Sequence, residues 1–382
     1  MPGFEFIDEE ERHAVDKIFT DGNGVLFAHG FDAMRDSFRV RNFEKKLCDK
    51  FSVKYALACT SGSAALFLGL KALGVGPGDE VVTQAYTFVA TVEAILMCGA
   101  TPIMTEIDAT YNMAPEDLKK KISKRTKAII PVHMAGVSAR MKEIMEIARA
   151  NDIAVLEDTA QGIGARNNGR YLGTIGDIGT FSLDFGKTIT CGEGGFILTD
   201  SEKLYQSALE FHDHGHEYNK KFGRAEDTRS TWGFNFRMNE MSAAVASVQL
   251  DKLEKVILES RRVKTKIVNA IKNCANVSFR EHPKNSEENY DSIIFSFSSS
   301  AETQQALGKL RENKISTKNI PDALRWHFSG MWEHMFSDTD RKLWPTTEEL
   351  LSRSIALPVM AKWGSQEIVI LLEKLIPAIQ SL

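Results

Sequence analysis

The sequence predicts an α/β protein: a large, mixed but mostly parallel sheet covered by helices, followed by a smaller C-terminal α+β part. Three observations carry this expectation. Between residues 55 and 200, short apolar runs alternate with amphipathic stretches, the rhythm of parallel strands joined by crossover helices. One long amphipathic pattern then covers residues 240–266, and a second, shorter set of strand and helix patterns follows it. At 382 residues the chain can bury two cores. We therefore expect a large domain over 1–250, with the N-terminal helices, and a small one over 251–382.

The elements follow in order. Residues 8–20 open on acids, which suit a helix N-terminus, and place Ala14, Val15, Ile18 and Phe19 on one face. A Gly-containing loop over 21–32 leads to a second helix over 42–51. Strands are expected at 55–59, in EVVTQA, TPIMTEID, KAIIPVH and IAVLED, and again at 196–199. Helices are expected in SAALFLGLKALG, in FVATVEAILMCG, near 115–122 and over 139–150. In the last of these, Met141, Ile144, Met145 and Ala148 form the buried stripe. The long helix over 240–266 presents Met241, Ala244, Val248, Leu253 and Ile257. Beyond it, NYDSIIFSFSS reads as a strand, with helices over 301–313 and 366–375.

Composition narrows the function. The net charge is −4 with no basic stripe, so a nucleic-acid partner is not expected. Lys119–Lys121 and the basic residues at 261–266 lie in helical patterns as solvated faces. No apolar run approaches a membrane span, and MPGFEFIDEEER has no signal-peptide core, so the expected location is cytoplasmic. Five cysteines, odd in number and without a CxxC pair, suit a reducing compartment with no disulfide frame or zinc site.

The stretch FSLDFGKTITCGEGG holds Lys187 between a strand-like run and a glycine-rich turn. A free lysine amine is mostly protonated at neutral pH and is a weak nucleophile. Beside a cofactor aldehyde it can instead be stored as an imine, as in enzymes that use pyridoxal 5'-phosphate. Ser182, five residues earlier, offers a hydroxyl for a phosphate oxygen. Three further features point to the same cofactor. Ser61-Gly62-Ser63-Ala64 joins a strand to a helix, where open backbone N–H groups bind anions, although a plain helix cap accounts for serine there as well. Asp158 closes an apolar strand in LEDTAQ, where a carboxylate can pair with a protonated pyridine nitrogen. Glu157 beside it is expected to face solvent or make a structural contact. Tyr86, after EVVTQA, could stack on a planar ring or pack in the core.

Together, SGSAALFLGLKALGVGPGDEVV, AYTFVATVEAI, LEDTAQGIGA, FSLDFGKTITCGEGGFILTD and GFNFRMNEMSAA resemble the sugar aminotransferases of the DegT/DnrJ/StrS group. The resemblance runs from the N-terminal helix to about Leu253 and resumes at Ile355-Ala356-Leu357-Pro358. It implies the aspartate-aminotransferase architecture, fold type I of the pyridoxal phosphate enzymes. It makes Lys187 the Schiff-base lysine and general acid/base, and Asp158 the partner of the pyridine nitrogen. Tyr86 would stack on the ring, Gln161 would lie near its 3-hydroxyl, and Gly62, Ser63 and Ser182 would bind the phosphate. Asn235 in GFNFRM would reach the phosphate of a neighbouring subunit, which implies a homodimer with shared sites.

Ser63 stands where the group usually has threonine, and Gln84 where it has proline, which could place a polar group near the ring. Related 3-dehydratases carry histidine at the position of Lys187, and a non-catalytic sugar-binding relative would not need the full set. The opening MPGFE, the variant KTITCGEGG, HDHGHEY and DALRWHFSGMWEHM resemble one subgroup, the 8-amino-3,8-dideoxy-manno-octulosonate aminotransferases. That resemblance implies transfer of nitrogen from glutamate to C8 of 8-oxo-3-deoxy-manno-octulosonate, for lipopolysaccharide. The alternative is a nucleotide-linked keto-hexose, although most such members carry Pro-x-His where this chain has DALRWHFSGMWEHM. His212, His214 and His216 would share one face of a strand, as metal ligands do, or lie in a flexible loop near a sugar. We expect the loop and no metal. Candidate sugar contacts are His214, His216, Arg224 and Arg229, together with Arg325, Trp326 and His327, of which the last two could equally belong to the core of the small domain.

Overall fold

A computed structural model describes residues 2–274 and 276–380. Two helices come first, α1 (Glu9–Thr20) and α2 (Arg39–Phe51). Asp8 caps α1 in a reciprocal box with Glu11. Strand–helix alternation follows: β1 (Tyr55–Cys59), α3 (Gly62–Ala72), β2 (Glu80–Gln84), α4 (Val89–Met97), β3 (Thr101–Thr105) and α5 (Pro115–Lys121). It continues through β4 (Thr126–Ile130), α6 (Met141–Ala150) and β5 (Ala154–Asp158), the short pair β6 (Arg166–Asn167) and β7 (Arg170–Tyr171), then β8 (Ile178–Ser182) and β9 (Gly195–Thr199). Helices α7 (Glu202–His212) and α8 (Glu240–Ile271) lead to β10 (Ser278–Phe279), β11 (Ser286–Glu287) and β12 (Ser292–Ser296). The chain ends with α9 (Ser300–Glu312), α10 (Leu324–His327), α11 (Pro345–Ser352), β13 (Ser354–Pro358) and α12 (Ser365–Gln380).

The main sheet has seven strands in the order β1-β9-β8-β5-β4-β2-β3. Only β9 runs against the rest, pairing antiparallel with both β1 and β8. The sheet is therefore mixed but mostly parallel, as expected. Its strands are mostly apolar because both faces are covered, and β2, β8 and β9 are buried at every position. A smaller antiparallel sheet, β10-β12-β13, lies in the C-terminal part. The position 250/251 falls inside α8, which crosses it without a break.

Several expected helix faces are rotated. On α1 only Glu11 and Ile18 are buried, and Phe19 is 56% exposed. The helix is anchored along one polar line, where Lys252 of α8 meets Asp8 and Glu11. On α8 Ala244 and Leu253 are buried as expected, with Ala243, Leu250, Val256 and Val263 beside them, whereas Met241 is exposed. That helix packs on α1 and α2 at one end and on α12 at the other. In α6, Ile147 rather than Met145 completes the stripe. The five cysteines are free. Among the described residues no helix is long and apolar enough to cross a membrane.

Candidate active site

The parallel strands place their carboxyl ends along one edge, and the loops leaving β1, β2, β5 and β8 meet there. They enclose a cavity of about 300 Å³. Gly62 and Ser63 line it from the N-terminus of α3, Asp158 and Gln161 from the end of β5, and Ser182 and Lys187 from the loop after β8. These six expected residues, more than 120 positions apart at the extremes, therefore share one wall system.

The anion cradle is built by close approach. Ser61 caps α3 with its own hydroxyl, accepting from the Ala64 N–H at 3.1 Å, so the capping reading of this motif holds for Ser61. A Cβ on Gly62 would fall 2.7 Å from the Ser182 Cβ, so glycine is what lets the helix start close on that serine. Asp158 lies buried beneath, its Oδ2 accepting from Thr91 Oγ1 at 2.8 Å and its Oδ1 from the Ala160 N–H at 3.1 Å. Thr87 continues that chain to Thr91 at 2.8 Å. Burial pushes the Asp158 carboxyl above its ordinary value, opposed by Thr91, Ala160 and the Lys187 amine. Gln161 accepts from the Ala135 N–H at 2.8 Å.

Glu157 points to the other face of β5 and is fully buried. It accepts from Gly173, Ile175 and Gly176 N–H groups at 2.6–2.9 Å and pairs with His133 Nε2 at 2.9 Å. The Ala139 N–H donates to His133 Nδ1, which leaves Nε2 to carry the proton. Burial opposes ionisation of Glu157, but His133 and the backbone donors outweigh it and hold the carboxyl below its usual range. Of the two expectations for Glu157, the structural contact is the observed one.

Other expected residues lie elsewhere. Tyr86 is fully buried behind the wall and bridges to Phe328, while Phe88 lines the cavity. The strand end turns residue 86 inward, so the ring at the wall comes two positions later. Gln84 spends its amide on the protein, donating to Tyr86 O at 2.8 Å and accepting from Met113 and Val132 N–H groups. It is not among the described residues that line the cavity.

The three histidines do not share a strand face. His212 ends α7 with its Nδ1 on Leu209 O, and His214 is exposed with a φ of 56°. His216 turns to Asp227 at 3.2 Å. Left-handed backbone at His214 and Gly215 breaks the alternation a strand would need. Among the described residues no group of three or more such ligands could hold a metal. Arg224 is spent on Asp213 through two bonds of 2.7 and 2.8 Å, and Arg229 is exposed. Arg325 and Trp326 are also exposed, the latter by 60%, because the short α10 turns only His327 inward to the cavity. Asn235 is exposed, outside the cavity wall, on a bridge to Asp213.

Residues at the cavity that were missed from sequence include Phe88, Thr91, Asp291 and Lys318. Phe88 and Thr91 lie within AYTFVATVEAI, three residues apart across the start of α4, a spacing that could have flagged them. Asp291 and Lys318 come from the C-terminal part and carry no local signal. Burial lowers the His327 imidazole to about 4, with Lys187 and Lys318 adding to the effect.

Residues 31–375 match the DegT/DnrJ/EryC1/StrS aminotransferase family. The chain is 31% identical over 340 residues to a GDP-perosamine synthase of Escherichia coli O157:H7, covering 88% of this chain and 89% of that one. The crystal structure of 3-amino-5-hydroxybenzoic acid synthase superposes with a TM-score of 0.86 at 26% identity, over 100% of this chain and 99% of the other. NtdA of Bacillus subtilis, solved with bound cofactor PMP, superposes at 0.84 and 26% identity, over 98% of this chain and 83% of the other. The seven-stranded sheet with its smaller antiparallel partner is thus the type I aminotransferase fold, and the chain belongs to the DegT/DnrJ/EryC1/StrS aminotransferase family.

Proposed function

We propose that this enzyme uses pyridoxal 5'-phosphate to move an amino group from glutamate to C8 of 8-oxo-3-deoxy-manno-octulosonate, as a cytoplasmic homodimer of two-domain subunits divided near residue 250. The observation that carries the reading is that Lys187, Asp158 and the Gly62–Ser182 cradle line one cavity. The residues fit the cofactor: an anion cradle that a Cβ at residue 62 would fill, a buried carboxylate, and a lysine in the same lining. Bound there, pyridoxal phosphate supplies an electron sink for the bond broken at the amino carbon. Gly62, Ser63 and Ser182 would hold its phosphate, and Asp158 would keep a proton on its ring nitrogen through a charge-assisted hydrogen bond. Lys187 would hold its aldehyde carbon and then move a proton between the two carbons that exchange the nitrogen. Phe88 offers the ring a face, in the role expected of Tyr86, and Gln161 borders the ring's hydroxyl. Asn235, exposed beside Trp232 and Phe234, suits reach into a partner's site.

The substrate class rests on the subgroup motifs and on the charge of the cavity. Among the described residues no arginine lines it, which leaves little to bind a diphosphate. A nucleotide-linked keto-hexose is the second reading, favoured by the name of the perosamine synthase relative. With glutamate as donor, the pure enzyme should aminate the octulosonate and leave nucleotide-linked 3-keto and 4-keto hexoses unchanged. Amination of the nucleotide sugars alone overturns the substrate class.

A further inference from the structure

Among its described residues the cavity contains one more cationic side chain than cofactor attachment uses. Among its described lining residues the lysines are Lys187 and Lys318. Lys318 is 8% exposed and forms a short ion pair with Asp291, itself 4% exposed. Its backbone is pinned, the N–H donating to Ala356 O at 2.8 Å. Among the described residues Asp291 supplies both acceptors of the ammonium, its Oδ2 and, at 3.4 Å, its own carbonyl oxygen. An ammonium has three N–H donors, so one is left without a protein acceptor among the described residues. Burial opposes ionisation of Asp291, but Lys318 outweighs it and holds the carboxyl below its usual value. The Lys187 amine is close enough to act on Asp291, Lys318 and His327 alike. The pair therefore shares the cavity with Lys187.

A buried ion pair is weak as a stabilising device, because desolvation of both charges offsets their attraction. One that lines a cavity with a donor to spare can instead receive an anion. An amino-acid donor carries its carboxylate on the very carbon that must meet Lys187, one bond from the reacting centre. We propose that Lys318, held in place by Asp291, binds the α-carboxylate of the amino donor and so selects amino acids over simple amines. The inference rests on the aminotransferase reading and adds the residue that recognises the donor.

The test uses the holoenzyme and a paired variant, Asp291→Asn with Lys318→Gln, which removes both charges together and keeps a buried hydrogen bond. Conversion of the cofactor by glutamate is followed by absorbance, with benzylamine as an amine that lacks a carboxylate. Calorimetric titration with glutarate, which cannot react, reads binding directly. Loss of a charge-assisted hydrogen bond should lower kcat/KM for glutamate about 30-fold, mainly through KM, and weaken glutarate to a similar degree. Benzylamine should change by less than about threefold, and Lys318→Arg should recover part of the glutamate loss. Equal losses with glutamate and benzylamine, or unchanged glutarate binding, overturn the role of Lys318. A wild-type enzyme inert toward glutamate overturns the donor reading as well.

Discussion

Two consecutive carboxylates show how one strand end separates chemistry from architecture. Asp158 faces the cavity with only two hydrogen-bond donors, whereas Glu157 is locked by four from the opposite side. Their variants should diverge. Asp158→Asn keeps shape and removes the charge expected at the ring nitrogen, so turnover should fall by roughly 10²–10⁴ with the melting temperature nearly unchanged. Glu157→Gln turns an amide N–H₂ toward donors in a dry site and should cost about 3 kcal/mol of stability, read by denaturant unfolding. Comparable unfolding curves for the two variants would contradict this division. The sequence made Asp158 legible because a polar residue closing an apolar strand has few other uses. It left Glu157 open between solvent and contact, because its four partners come from residues 133 and 173–176 and are brought there only by folding.

Elements were legible where periodicity is set by burial on both faces, as in the parallel strands, and less so where a helix meets several partners. The long pattern expected at 240–266 extends to Ile271, and its buried line, through Leu250, Leu253, Val256, Val263 and Ile267, differs in part from the face expected from sequence. The N-terminal turn over Gly3–Phe6 had no periodic signal, yet it buttresses the loop that bears Lys187. Gly3 N–H donates to Lys187 O at 3.1 Å, and Phe4 stacks on Phe185 with centroids 5.1 Å apart. A Cβ on Gly3 would lie 2.6 Å from Lys187 O and 2.9 Å from Ile189 Cα, both backbone atoms that cannot rotate aside. Gly3→Ala should therefore displace the lysine and lower kcat roughly tenfold, since small misplacements of a reacting group are costly. Wild-type kcat in that variant would show that the loop holds its position without the turn.

At the scale of the whole molecule, the site is a convergence of distant segments. The cradle, Asp158 and Lys187 come from the seven-stranded sheet, and each was legible because its motif lies at a strand end. The opposite wall, with Asp291, Lys318 and His327, comes from beyond α8 and is joined to the sheet by Thr87 N–H to His327 O and Ser329 N–H to Ala85 O. No local pattern announces that junction, which is why Lys318 was missed and why the sequence left Trp326 and His327 open between the core and the sugar site, of which only His327 lines the cavity. Among the described residues the cavity consequently holds two lysines, Lys187 and Lys318, and cofactor attachment is assigned to only one of them. Borohydride reduction of the holoenzyme followed by peptide mapping separates them directly. The account predicts the reduced cofactor on the peptide containing Lys187 and none on the peptide containing Lys318, and label on Lys318 or on any other lysine would contradict it.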